Sequence, residues 1–233
     1  MRPTRWTDPR LAAAYATRLD HLDRDAAWPQ LTALLTNPAP RRGLGRPDAT
    51  VLELGSGPGH YARYLAEHHW TATYAVDISP AIHRHGQQHV RDAWIHRTLL
   101  HRDGSLPLRR CQCTAALAHL LFCHIQRPAH ILALLTEARR VLRPESPLAI
   151  VEPGEHGRDF QLLRYGHPDR TPGAPYPIDY TLADTTRLRT TAYHHPPELL
   201  AELIDRAGFH LDLISPLPAQ GGTPFTLWTA HAR

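Results

Sequence analysis

The chain has 233 residues and a formal charge of +4 with its 18 histidines neutral, and all 26 of its basic residues are arginine. That length fits one α/β domain with a full core, or such a domain with a small cap, and excludes two large domains. The arginines are scattered (Arg2, Arg5, Arg10, Arg18, Arg24, Arg41, Arg42, Arg63 and onward), which argues against a nucleic-acid partner, and no apolar run follows the opening residues or reaches membrane-spanning length, so a cytoplasmic protein without a membrane partner is expected.

Residues 9–36 carry Leu11, Ala14, Tyr15, Leu19, Leu22, Trp28, Leu31, Leu34 and Leu35 at near-helical spacing, broken at Pro29. Two helices before the sheet are predicted, with 37–49, rich in Pro, Arg and Gly, as a linker. Apolar residues on these helices are compatible with a homodimer. The remainder alternates: strand 50–54, helix 59–68, strand 72–77, helix 80–92, a short strand near 98–101, strand 113–118, helix 128–142 and strand 147–152. Such alternation predicts a mostly parallel, doubly wound α/β sheet. Cys111, Cys113 and Cys123 are odd in number, and two cysteines two apart on a strand share a face without disulfide geometry, so reduced thiols buried in the sheet are expected. Pro196-Pro197-Glu198 reads as a helix start.

The informative segment is Val51-Leu52-Glu53-Leu54-Gly55-Ser56-Gly57-Pro58-Gly59, an apolar strand running into three glycines, followed by a second strand that ends at Ala75-Val76-Asp77. Glycines allow a sharp turn that brings main-chain N–H groups to a ligand, and an acid ending the next strand can accept from both hydroxyls of a ribose. The spacing is acid-x-Gly-x-Gly-x-Gly, distinct from the Gly-x-Gly-x-x-Gly of dinucleotide sites.

At these residues the chain resembles the class I S-adenosylmethionine-dependent methyltransferases. Asp103-Gly104-Ser105-Leu106-Pro107-Leu108 looks like the family's acidic turn facing the adenine amine. Thr114 through His124 resembles its fourth strand and following loop, with Thr114 where an Asp is common. Ala138-Arg139-Arg140-Val141-Leu142-Arg143-Pro144 and Leu148-Ala149-Ile150-Val151-Glu152-Pro153 look like the next helix and strand, with Glu145-Ser146 where Gly-Gly is usual. Ala207-Gly208-Phe209 resembles the helix end before the closing antiparallel strands. The resemblance covers roughly residues 50–154 and implies a Rossmann-like, mostly parallel seven-stranded sheet with N-terminal helices and a C-terminal antiparallel hairpin. It divides the chain into a helical cap and linker (1–49) and a methyltransferase-like domain (50–233), with 155–195 as a substrate-covering insertion.

The resemblance also implies S-adenosylmethionine as cofactor and a small-molecule substrate. Main-chain groups of Gly55, Ser56, Gly57 and Gly59 would approach its methionine portion, with Glu53 favouring the ammonium. Asp77 would take the ribose and Asp103 the adenine amine, beside Ile78, Gly104, Ala118 and His119, and Tyr15 would close over the carboxylate. Each acid also has a local role open to it: Asp77 as a cap at Asp77-Ile78-Ser79-Pro80, Asp103 as a turn residue.

Methyl transfer needs alignment and, for a protonated acceptor, a base. His119, at a strand's C-terminal end, is the first candidate, ahead of His124. Within 155–195, the residues Arg158, Arg164, Tyr176, Tyr180, Arg187, Arg189, Tyr193, His194 and His195 mark a substrate pocket, Tyr193 foremost, although a bland surface loop explains the arginines as well. The stretch Pro168–Pro177 is too stiff for a core strand. His83-Arg84-His85 and His194-His195 lack a third ligand at recognised spacing, so no metal is expected. Two other readings keep the cofactor pocket: cyclisation of the aminobutyrate arm with release of 5′-methylthioadenosine, and a binding protein without turnover.

Overall fold

The computed structural model describes residues 5–19, 28–36, 49–69, 71–89, 93–101, 103–153, 171–181, 187–217 and 225–233. Its elements are α1 (Pro9–Leu19), α2 (Trp28–Thr36), β1 (Thr50–Leu54), α3 (His60–His69), β2 (Ala72–Asp77), α4 (Pro80–His89), β3 (Ile95–Leu99), β4 (Ala115–His119), a 3-10 turn (Phe122–His124), α5 (Pro128–Val141), β5 (Pro147–Pro153), β6 (Pro175–Thr181), β7 (Arg187–Tyr193), α6 (Pro197–Arg206), β8 (Phe209–Leu217) and β9 (Phe225–Ala232). Four helices begin on proline (Pro9, Pro80, Pro128, Pro197), where the missing N–H costs nothing and the fixed φ suits a first turn.

Seven strands form one sheet in the order β3-β2-β1-β4-β5-β9-β8. The five from β3 to β5 run parallel, and β9 and β8 close it antiparallel. This is the expected Rossmann-like, mostly parallel sheet with its closing hairpin. Strands covered on both sides read as continuous apolar runs, and every residue of β4 from Ala115 to Ala118 is buried. Side chains alternate between two cores. Leu52, Leu54, Ala116 and Ala118 pack with Ile131, Leu135, Leu203 and Phe209 of the α5 and α6 side. Val51, Ala115 and Leu117 pack with Leu31, Leu35, Tyr61 and Leu65 of α2 and α3. The N-terminal helices are therefore part of the core wall; α1 packs on α4 through Ala12, Ala81 and Ile82, and its Leu11 and Ala14 pack on Leu188.

Several expectations are corrected. The third strand spans Ile95–Leu99, three residues before the predicted 98–101, because it is a partly exposed edge strand whose His96, Arg97 and Thr98 hide the apolar signal. The fourth begins at Ala115, not 113. All three cysteines are free thiols, yet only Cys113 and Cys123 are buried. Cys111 is exposed in a left-handed turn rather than in the sheet. The proline-rich stretch contributes β6, as half of a two-stranded ribbon with β7 outside the main sheet, where Pro175 and Pro177 cost no central ladder. Asp179 and Arg189 pair across this ribbon at 2.7 and 2.9 Å. Residues 154–170 and 182–186, with Arg158 and Arg164, lie outside the described residues, as does much of the 37–49 linker. No helix among the described residues is long and apolar enough to cross a membrane.

Candidate active site

In an open α/β sheet, ligands bind beyond the carboxyl ends of the strands, where the strand order reverses. Here that point lies between β1 and β4, and a cleft of about 720 Å³, open mouth included, sits over it. Its walls come from the turn after β1 (Gly55, Gly57), the end of β2 (Asp77, Ile78), Leu100 after β3, the loop after β4 (Leu120, Leu121, His124, Ile125), and α1 with its preceding turn (Tyr15, Trp6).

The glycine turn is shaped by contacts that exclude side chains. At Gly55, φ is +65° and a Cβ would lie 2.7 Å from Leu121 Cδ1. At Gly86 on α4, a Cβ would fall 2.2 Å from the Pro58 carbonyl oxygen, so α4 can lie directly on the turn only because that position is bare. Arg97 Nη2 donates to the same carbonyl from behind at 3.3 Å.

Asp77 ties the turn to β2. Its Oδ2 accepts from the Gly57 N–H at 3.0 Å and its Oδ1 from the Ser79 N–H at 2.9 Å, while Ser56 N–H donates to the Val76 carbonyl at 3.0 Å. Burial raises the Asp77 pKa against the opposing Ser79 and Gly57 bonds. Asp77 thus performs the local capping role and still faces the cleft. A carboxylate has about four lone-pair sites, so each oxygen retains capacity for a ligand hydroxyl.

The predicted site residues separate into groups. Tyr15, Gly55, Gly57, Asp77 and Ile78 meet in the main cleft. Glu53, Ser56 and His119 line a smaller polar pocket beside it, sharing Tyr15 and Gly55 with the cleft. Strand alternation explains this, since Glu53 pairs with Leu117 and His119 lies two further along the same face. Gly59 lies at the start of α3, against the Arg97 guanidinium. Ala118 is fully buried in the core on the opposite face; Leu120 and Leu121 supply the wall instead. Asp103 and Gly104 are not among the described residues lining the cleft. Asp103 is exposed and its Oδ1 accepts from the Ser105 N–H at 2.9 Å and the Ser105 hydroxyl at 2.7 Å, bonds that lower its pKa. It is used as a turn residue. Tyr193 lines a third pocket with Glu152, Tyr176 and His195, behind the 3-10 turn. Among the described residues no group of three or more His, Cys, Asp or Glu is placed to hold a metal.

Trp6, Leu121 and Ile125 carry no site signal in the sequence, and His124 ranks there behind His119. Trp6 packs edge-on against Tyr15 (centroids 5.0 Å) and against His124 (4.6 Å), an aromatic corner assembled from two distant parts of the chain. Burial pushes the His124 pKa down to about 4, opposed by a backbone hydrogen bond with Thr191, so the imidazole is neutral near pH 7. Thr114, the departure from the family pattern, is at the other end of β4. Its N–H donates to the Thr50 carbonyl at 2.8 Å and its Oγ1 accepts from the Thr50 N–H at 3.0 Å.

Residues 52–150 match the family described as a methyltransferase domain. The N-demethylindolmycin N-methyltransferase of Streptomyces griseus is 27% identical over 183 residues, 75% of each chain. Among solved structures, an S-adenosylmethionine-dependent methyltransferase from Methanosarcina mazei superposes with a TM-score of 0.65 at 18% identity, over 80% of this chain and 93% of that one. The [4+2]-cyclase SpnF shares the fold with a TM-score of 0.59 at 15% identity, over 87% and 80%. Fold alone therefore does not choose a reaction.

Proposed function

We propose that the chain, whose residues 52–150 match a methyltransferase domain, is a class I S-adenosylmethionine-dependent methyltransferase that methylates a small-molecule acceptor of secondary metabolism in the main cleft. The observation carrying this reading is the Asp77 carboxylate, half-buried at the end of β2, bonded to the glycine turn and facing the cleft. The relative named for N-methylation of N-demethylindolmycin supports a small acceptor.

The residues present fit the cofactor. The turn is bare of side chains where a ligand must approach closely, to the point that a Cβ on Gly57 would meet Tyr15 Cε1 at 3.3 Å. Asp77 would accept the ribose hydroxyls, and the apolar side chains of Ile78, Ile82 and Leu100, which line the cleft, would flank the base. Glu53 and Ser56, in the adjoining polar pocket, receive the amino-acid end. When bound, S-adenosylmethionine supplies a methyl group made electrophilic by its sulfonium.

The chain contributes alignment and exclusion of water, which for an in-line displacement is most of the catalysis. Tyr15 of α1 and Trp6 of the turn before it close the cleft, and this aromatic wall suits a planar acceptor. The neutral His124 ring, bonded to the Thr191 main chain, backs Trp6 at this corner. His119 lines the polar pocket with Glu53 and Ser56 and would face the methionine portion there.

The test is mass spectrometry of the protein with S-adenosylmethionine, alone and with a panel of small heteroaromatic amines and phenols, beside an Asp77→Ala variant. The expected outcome is cofactor that survives unchanged without an acceptor and becomes S-adenosylhomocysteine with one, in the intact protein only. Accumulation of 5′-methylthioadenosine without an acceptor sinks methyl transfer and establishes cyclisation of the aminobutyrate arm.

A further inference from the structure

The loop after β4 supplies four residues of the cleft wall, and it holds an unfavourable backbone. Leu120 has φ of +53°, a left-handed conformation that costs a residue with a Cβ about 1 kcal/mol or more and persists only where its surroundings enforce it. Two sets of bonds enforce it here. Leu120 N–H donates to the Val151 carbonyl at 2.7 Å. The next three N–H groups in the chain all converge on one side chain, the carboxylate of Glu152 at the end of β5: Leu121 at 3.0 Å and Phe122 at 2.7 Å to Oε1, Cys123 at 3.0 Å to Oε2. Glu152 is 6% exposed and lies behind the loop, in the third pocket. The side chain it holds from behind, Leu121, is the one that seats on Gly55 in the cleft.

We propose that Glu152 is a positioning residue of the cofactor cleft: its carboxylate holds the strained Leu120 turn so that Leu121 packs on the glycine turn and the cofactor wall is formed before binding. This rests on the reading of the cleft as the S-adenosylmethionine site. It also makes the cleft sensitive to pH. Ionised, Glu152 offers acceptors to all three N–H groups. Protonated, one oxygen carries a hydrogen that confronts an N–H, and the cradle loses a bond. Burial pushes the Glu152 pKa up to about 7 against those three bonds and a fourth from the Cys123 thiol, so the change falls in the working range.

Several groups from the neighbouring elements face Glu152. Cys123 on the 3-10 turn has its pKa held well above 9.0 by burial. His195, ahead of α6, has its pKa lowered by burial and its Nε2 lies 2.7 Å from the Ile125 carbonyl. Tyr176 of β6 and Tyr193 of β7 line the same pocket. From the flanking strands come Thr226 of β9 and, beside Val151, His119 of β4, whose ring instead lines the polar pocket.

The experiment is calorimetric binding of S-adenosylhomocysteine between pH 6 and 8.5 to the wild-type protein and to Glu152→Gln, with hydrogen exchange of the Leu121, Phe122 and Cys123 amides in both. The wild type is expected to bind about tenfold more weakly at pH 6 than at pH 8.5. The variant is expected to bind about tenfold more weakly at pH 8.5 with a flat profile, and to exchange those amides faster while amides of β4 and β5 stay protected. If the variant does not fold, the wild-type measurements decide alone: those three amides must lose protection together with affinity as pH falls through 7. A Glu152→Gln protein with wild-type affinity, or with the wild-type pH slope retained, overturns the inference and points to Asp77 as the titrating group. A wild-type protein that binds no S-adenosylhomocysteine at any pH overturns the cofactor reading itself, and the inference with it.

Discussion

The two ends of β4 differ in a way that separates what the chain needs to fold from what it needs to act. At the amino end, Thr114 is wholly buried and stitches β4 to β1 through the Thr50 main chain. At the carboxyl end, the chain turns through a left-handed leucine and is held by a buried carboxylate from another strand. The first end is regular and cheap. The second is strained and dependent on a group that is costly to bury, as expected where geometry is bought for a ligand. A departure from the family's residue pattern at the first end therefore leaves the cleft untouched.

The comparison breaks most sharply at Asp77. Asp77→Ala removes the acceptor of both the Gly57 and Ser79 N–H groups, each a bond to a charged group worth about 2 kcal/mol, and S-adenosylhomocysteine affinity measured by calorimetry should fall about a thousandfold. Next comes pH. The folded Glu152 pKa, about 7, lies above its ordinary 4.5, so the folded state holds this proton where the unfolded state has lost it. The associated stability is fully present below pH 4.5 and is lost as pH rises through 7, a change of about 3 kcal/mol. Denaturant melts should show that loss in the wild type and not in Glu152→Gln. Gly55→Ala forces a side chain into positive φ and against Leu121, and should cost about 1–2 kcal/mol of stability with a measurable loss of cofactor affinity. The smallest effect sharpens the contrast: Thr114→Val should cost about 1 kcal/mol in thermal melts, with cofactor affinity unchanged within about twofold. An affinity loss there would erase the distinction between the two ends.

Much of this was legible in the sequence wherever the physics is local. Apolar runs located β1, β2 and β5, and prolines marked where helices begin. The glycine turn and Asp77 announced themselves because a βαβ unit brings them together within a short stretch. The edge strand β3 was misplaced because its polar residues face solvent. The rest of the site was hidden by distance along the chain. Nothing in Trp6 signals that it will meet His124, and nothing in Glu152 signals that it will collect the N–H groups of 121–123. Asp103, a residue in a recognised pattern, makes its own Asx turn.

Gly86 carries a last consequence. With its Cα against the Pro58 carbonyl, α4 has no clearance to slide, so helix and turn are one mechanical part although they are far apart in sequence. Anyone transplanting this cleft into another scaffold, or reading a mutational scan of it, should treat position 86 as belonging to the glycine motif itself.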